Sequence, residues 1–149
     1  MACFSKEQTI GKSQLMMIRK QTRYAVFEFD TARRILFLEI TSPVTIDLDI
    51  AREMLHIRLE VTEGKPCYVI AESSRVRGIT AEAKEYVLRP DGGQYNILGA
   101  ALIVNNPVAA LLANIFIKSR KQYPSRYFTS RAAAVEWIEQ LEHSFIRKI

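Results

Sequence analysis

The chain of 149 residues has little cysteine and no long apolar run. Its two cysteines, Cys3 and Cys67, form neither a CxxC pair nor a zinc-type spacing. Two such cysteines exclude a disulfide scaffold and favour reduced thiols. The longest apolar run near the N-terminus covers residues 15–18, shorter than the roughly 7–15 residues of a signal-peptide core and the roughly 20 that span a bilayer. These absences predict a cytoplasmic protein without a membrane span.

Residues that carry catalytic or metal chemistry are also scarce. The two histidines, His56 and His143, are far apart, and no cysteine stands at ligand spacing from either. No GxSxG sequence is present, and Gly92-Gly93 after Asp91 is typical of a turn, since neither GxGxxG nor a GKS/GKT ending accompanies it. The sequence therefore predicts a protein that is not an enzyme, with no catalytic residue, no metal and no cofactor.

The formal charge of +5 is concentrated at one end of the chain. Residues 1–23 contain five basic residues and one acidic residue, whereas the other 126 residues contain 16 basic and 15 acidic ones. Affinity for nucleic acid grows with the number of phosphates that lysine and arginine neutralise. The nearly neutral remainder therefore argues against nucleic acid as a specific partner.

The hydrophobic pattern predicts alternating strands and helices, with helix caps at Thr45, Thr80, Asn106 and Ser130. Strands that alternate with helices need crossover connections, so the later strands are expected to be parallel, while a short connection makes the first two an antiparallel hairpin. The expected fold class is α/β with a mixed sheet. Residues 1–22 are predicted to be a flexible basic extension, and residues 23–149 a single domain. The predicted elements are strands at 24–29 and 35–40, a helix at 46–62, a strand at 67–71, a helix at 81–88, a strand at 97–104, a helix from 107, a strand at 126–128 and a helix after 130.

The polar loop after the strand at 67–71 is the first candidate binding site. Ligands of α/β proteins tend to bind at the carboxyl ends of parallel strands, where backbone donors and helix N-termini converge. Ser73, Ser74, Arg75 and Thr80 are therefore candidates for binding a small anion. The alternative is that the two serines satisfy backbone groups of the loop and that Thr80 only caps its helix.

A basic cluster after the third helix is the second candidate. Arg126, together with Lys118, Arg120 and Lys121, provides charge for a phosphate or an acidic partner. Cations also interact favourably with the C-terminal end of a helix dipole. The alternative is therefore that Lys118, Arg120 and Lys121 only form a solvated helix end.

Four stretches together resemble the STAS-like domains related to bacterial anti-sigma factor antagonists, in a branch of small uncharacterised bacterial proteins. The resemblance covers about residues 24–142 and depends on the order and spacing of all four. The stretches are RILFL at 34–38, GITAEA at 78–83, ALIVNNPV at 101–108, and PSRYFT at 124–129 leading into AVEWI at 134–138.

The resemblance implies a mixed sheet of four or five strands with about four helices packed mainly on one face. It also implies a non-enzymatic regulatory module that binds a protein partner or forms a homodimer. The alternative function is a small-molecule or nucleotide-binding domain that uses the loop at 72–80. The antagonists carry a phosphorylated serine at a helix start, whereas this sequence has Ala81 at the matching position, so we expect no phosphorylation switch of that kind.

Overall fold

The computed structural model of the chain describes residues 16–119 and 123–147, and these residues form eight strands and four helices. The elements are β1 (Met17–Gln21), β2 (Ala25–Asp30), β3 (Ile35–Ile40), β4 (Val44–Ile46), α1 (Leu48–Thr62), β5 (Cys67–Glu72), β6 (Val76–Ile79), α2 (Ala81–Leu88), β7 (Ile97–Ile103), α3 (Pro107–Lys118), β8 (Ser125–Phe128) and α4 (Arg131–Arg147).

Six strands form one mixed sheet in the order β1-β2-β3-β5-β7-β8. β1, β2 and β3 pair antiparallel, whereas β3, β5, β7 and β8 pair parallel. β4 and β6 form a separate parallel pair. The expected fold class, a mixed α/β sheet with an initial hairpin, is confirmed. The sheet has six strands instead of the expected four or five, because β1 adds to its edge beside β2.

Alternate residues of the central strands enter two separate cores, as the two-residue period of a strand requires. Leu36 and Val69 lie on the face covered by α1, α2 and α3, in a core that includes Ile57. Ile35 and Ile70 lie on the opposite face, where α4 contributes Ile138. The sheet therefore has three helices on one face and one on the other.

Side-chain caps fix the starts of the helices. The Thr80 hydroxyl accepts a hydrogen bond from the Ala83 N–H at 3.1 Å, and the Asn106 Oδ1 accepts one from the Ala109 N–H at 2.8 Å. Both predicted caps are confirmed, as is Ser130 at the start of α4. The predicted cap at Thr45 is wrong, because the Asp47 carboxylate accepts from the Ile50 N–H and Thr45 belongs to β4.

Three strands were not predicted. β1 lies within the expected flexible extension at residues 1–22, but it pairs along its whole length with β2, so that expectation does not hold for residues 17–21. Residues 1–15 lie outside the described part of the chain. β4 and β6 have three and four residues, too short to show a period, and Pro43 suggested a break. β1 is mostly exposed, so it lacks the apolar alternation of a half-buried strand.

Candidate functional site

The loop after β5 is closed by its own backbone. The Val76 N–H donates to the Ser73 carbonyl at 3.1 Å, and the Asn106 amide donates from Nδ2 to the Ser74 carbonyl at 2.9 Å. The second bond joins the loop to the start of α3. These contacts use the backbone carbonyls of both serines and not their hydroxyls.

β6 is attached to β4 at both of its ends. The Val44 N–H donates to the Arg75 carbonyl at 3.3 Å, and the Thr80 N–H donates to the Ile46 carbonyl at 3.0 Å. The side chain of Arg75 is exposed, and the Thr80 hydroxyl is engaged as the cap of α2. The loop thus places Ser73, Ser74 and Arg75 on one short connection, with Thr80 one strand further along.

Arg126 lies away from this loop. It pairs in register with Ala101 and stacks over the ring of Phe128, with its guanidinium carbon 5.3 Å from the ring centre. Ala101 belongs to the core on the α4 face of the sheet, and Phe128 packs against that core. The structure therefore separates Arg126 from the other candidates, which lie on the α1–α3 side. Arg120 and Lys121 of the basic cluster lie outside the described residues.

An apolar cavity of about 220 Å³, partly open to solvent, lies between the sheet and helices α1, α2 and α3. Among the described residues that line it, polar side chains come only from Arg58, Glu72, Ser73 and Lys84. Apolar side chains from β2 to β7 and from all three helices, together with Gly93, form the rest of the wall. Ser73, one of the predicted site residues, therefore lies at a wall of this cavity, whereas Ser74, Arg75 and Thr80 do not line it.

Arg58 is the unusual wall residue, because only 6% of it is exposed. Its Nη2 donates to the Gly93 carbonyl at 3.3 Å, and its Nη1 has no hydrogen-bond partner among the described residues. Burial lowers the pKa of Arg58, and this shift is opposed first by the Cys67 thiol, including a hydrogen bond, and then by the Tyr123 and Tyr86 hydroxyls. Burial in turn raises the pKa of Cys67, so the thiol is neutral at neutral pH and supplies no counter-charge.

Two more buried polar atoms near Arg58 lack partners in the described structure. They are Nε2 of Gln94, which follows Gly93, and the hydroxyl oxygen of Tyr123. The turn that presents Gly93 needs glycine, because a Cβ at Gly93 would lie 2.5 Å from the Val87 carbonyl oxygen at the end of α2. Residues 90–96 form a turn in the structure, so the predicted turn at Gly92-Gly93 is confirmed.

The sequence analysis missed both the cavity and Arg58. A cavity depends on how far apart facing elements lie, which no local pattern shows. One signal was available: Arg58 follows Met54 by four residues and precedes Val61 by three, so it lies within the apolar stripe of the predicted helix. An arginine within such a stripe becomes buried when the helix packs against the sheet. Arginine is almost never fully buried unless another group pairs with its charge.

The described residues contain no group of three or more His, Cys, Asp or Glu side chains arranged to hold a metal ion. In the same part of the chain, no helix is long and apolar enough to cross a membrane.

The fold agrees with that of a solved structure. A protein of the DUF3478 family from Shewanella loihica PV-4, described as uncharacterised and as having a SpoIIAA-like fold, matches with a TM-score of 0.51 and 12% identity. The match covers 82% of this chain and 91% of the other. The chain therefore has the STAS-like α/β fold that the sequence predicted.

The family follows from the sequence profile of a domain of unknown function, DUF7793, which matches residues 29–142. The chain belongs to this family. No curated protein matches it.

Proposed function

We propose that this protein is a non-enzymatic binding module of the STAS-like type whose cavity between the sheet and α1, α2 and α3 takes up a small molecule. The observation that supports this function is the cavity itself. Protein interiors are packed to the density of organic crystals, and voids much larger than a water molecule are few. An engineered apolar cavity of about 150 Å³ stays dry and binds benzene, so a volume of about 220 Å³ suits a ligand of roughly nine non-hydrogen atoms.

The first test is thermal unfolding with 1-octanol, a neutral linear probe of about this size. At ten times its Kd, a ligand of the native state stabilises by about 1.4 kcal/mol, which corresponds to a rise in Tm of about 3–5 °C for a chain of this length. The Ala113→Leu variant adds side-chain volume at a buried wall position on α3 and is expected to lose this rise.

Ala133→Leu makes the same change at an exposed position on α4 and is the matched control, expected to retain the rise. If Ala113→Leu unfolds, Ala100→Val, which narrows the cavity from β7, replaces it. Two results would contradict a ligand-binding cavity. One is an equal rise in Tm for the cavity variant and for Ala133→Leu. The other is a wild-type Tm that rises neither with 1-octanol nor with octanoate, the carboxylate of the same chain length.

The second candidate function is a regulatory protein-interaction module, and one feature of α3 favours it. Leu111 is 62% exposed and Val108 is 38% exposed on this helix, and Tyr127 on the neighbouring strand β8 is 56% exposed. Tyr127 pairs with Leu102, a cavity wall residue, so it lies on the same face of the sheet as α3. Exposed apolar patches of this kind mark interaction sites in soluble proteins.

The test for this function is Leu111→Lys, with Arg52→Leu on α1 as a control that changes an exposed residue outside the patch. Sedimentation of the purified protein would show a dimer that Leu111→Lys dissociates if the partner is a second copy. If the partner is a different protein, it should associate stoichiometrically with the wild type and with Arg52→Leu but not with Leu111→Lys. A monomer with no such associate would contradict this function.

A further inference from the structure

The buried guanidinium of Arg58 lacks a counter-charge within the described structure. Arginine keeps its proton under all ordinary conditions, so it cannot escape the cost of burial by becoming neutral. Among the described residues, the one oxygen atom that accepts from this guanidinium is the Gly93 carbonyl, and its other hydrogen-bond contact is the neutral Cys67 thiol. An unpaired charge in the protein interior costs several kcal/mol, which makes this position a site that a bound anion would complete.

The three buried polar atoms without partners are all hydrogen-bond donors. Nη1 of Arg58 and Nε2 of Gln94 can only donate, and the Tyr123 hydroxyl donates as well as accepts. Tyr123 and Arg58 are close enough to influence each other electrostatically, and Gln94 follows the residue that Arg58 contacts. Of the three residues, Arg58 is the one that lines the cavity. Its unpaired nitrogen calls for a ligand group that only accepts hydrogen bonds, and an ionised carboxylate is such a group.

The acidic wall residue of the cavity lies at the far end of β5 and does not serve Arg58. Arg58 lies beside Cys67, the first residue of β5, whereas Glu72 is the last. Five residues of extended strand separate them by about 16 Å. The anionic end of a ligand is therefore favoured at the Cys67 end of the strand and disfavoured at the Glu72 end.

The rest of the wall favours an apolar tail. It extends along β5 from Ile97, the register partner of Cys67, to Ser73, just beyond Glu72. The walls between these ends are apolar, with Leu36, Val69 and Ala100 on the sheet side. An alkyl chain attached to the carboxylate satisfies both ends of this description.

We propose that the cavity binds an apolar monocarboxylate, whose carboxylate accepts hydrogen bonds from Arg58 and whose apolar part lies between the sheet and helices α1, α2 and α3. This proposal rests on the proposed small-molecule function and adds the charge of the ligand. A carboxylate carries a single negative charge, which one arginine neutralises. A phosphate would place a second negative charge in the same apolar surroundings without a partner.

The test is calorimetric titration of the full chain at neutral pH with octanoate and with 1-octanol, which have the same chain length and differ in charge. The wild type is expected to bind octanoate at least about tenfold more tightly than 1-octanol, since charge-assisted hydrogen bonds are the stronger class. Arg58→Met keeps most of the side-chain volume and is expected to lose this preference while binding 1-octanol within about twofold of the wild type. Arg52→Met, an exposed change on the same helix, is the control and should keep the preference.

Each outcome of the titration has a distinct meaning. If the wild type binds both probes equally, or if Arg58→Met keeps the preference for octanoate, the carboxylate proposal is wrong while the ligand-binding function stands. If neither probe binds, both proposals fail. The Tm of Arg58→Met confirms that the variant is folded.

Discussion

The two faces of the sheet differ in how they pair an arginine. On the α4 face, Arg34 donates from Nη2 to both carboxylate oxygens of Glu142, at 2.9 and 2.7 Å, and the Tyr68 hydroxyl donates to the same carboxylate. On the α1–α3 face, Arg58 is more deeply buried and has only one carbonyl to bind. The α4 face is completed by its own residues, whereas the other face has donors and space that its own described residues do not fill.

This difference predicts that matched core deletions have unequal effects. Ile138 on α4 is almost fully buried, and Ile115 on α3 is half-buried at the cavity wall. Ile138→Ala should lower the free energy of unfolding by about 2–5 kcal/mol, and Ile115→Ala by about 1 kcal/mol, because a side chain beside a void has fewer contacts to lose. Urea unfolding of both variants measures the difference. A larger loss for Ile115→Ala would show that the α1–α3 face is the better packed one.

The hydroxyl bond on the α4 face predicts a dependence of stability on alkaline pH. Burial, followed by the hydrogen bond to Glu142, raises the pKa of Tyr68 from 10.0 to about 12 in the folded protein. Between these values the unfolded chain binds fewer protons than the folded one, so the free energy of unfolding falls as pH rises from 10 to 12. The contribution is fully present below pH 10 and amounts to at most about 2 kcal/mol.

Tyr68→Phe should therefore flatten the decline in stability above pH 10. Tyr24 on the other face, which donates to Glu53 and also has a raised pKa, remains in both proteins and cancels in the comparison. Urea unfolding of the wild type and of Tyr68→Phe at several pH values gives the two slopes. Identical slopes would mean that Tyr68 titrates alike in the folded and unfolded chains.

Replacement by methionine is expected to change the stability of the protein in opposite directions at Arg58 and at Arg34. Arg58→Met removes a buried charge without a counter-charge and should raise the stability of the ligand-free protein by about 1 kcal/mol. Arg34→Met breaks an ion pair that is partly exposed, and should lower it by about 0.5–1 kcal/mol. Chemical denaturation of the two variants provides the comparison. A loss of stability in Arg58→Met would assign Arg58 to the support of the Gly93 turn instead of to a ligand.

Thr80 connects the structure with the expected absence of a phosphorylation switch. Its hydroxyl caps α2, and Ala81 at the next position has no oxygen to modify. Thr80→Ala should lower the free energy of unfolding by about 1 kcal/mol, the usual value of a cap. Phosphoproteomic measurement on the native protein should find Thr80 unmodified. Substantial phosphorylation of Thr80, together with loss of binding in Thr80→Glu, would restore a switch at this helix start.

The parts of the fold that local patterns determine were predictable, and those that depend on assembly were not. Asn106-Pro107 and Thr80 mark helix starts because capping is a local hydrogen bond. β4 and β6 are too short to show a period, and each becomes a strand only because the other lies beside it. The cavity likewise depends on the distance between α1 and the sheet. The charge of Arg58 within an apolar stripe was visible in the sequence, but its missing partner was not.

The same distinction between local patterns and assembly applies to the predicted site residues. Ser73, Ser74 and Arg75 share a loop at the carboxyl edge of the sheet, as connectivity requires, and only Ser73 reaches the cavity wall. Arg126 was grouped with a cation cluster by sequence distance alone. Because side chains alternate along β8, Arg126 lies on the α4 face of the sheet. The strand register could have shown this only after β7 was known to be the neighbour of β8.

An NMR titration of the isotopically labelled chain with octanoate tests the contrast between the two faces most directly. We expect the amide signals of Gly93, Ala100 and Ala113, which line the cavity, to shift with a common saturation curve. The signals of Ala134 and Ile138 in the α4 core should stay unchanged. Shifts of similar size on both faces, or shifts confined to the α4 face, would contradict a ligand site between the sheet and helices α1, α2 and α3.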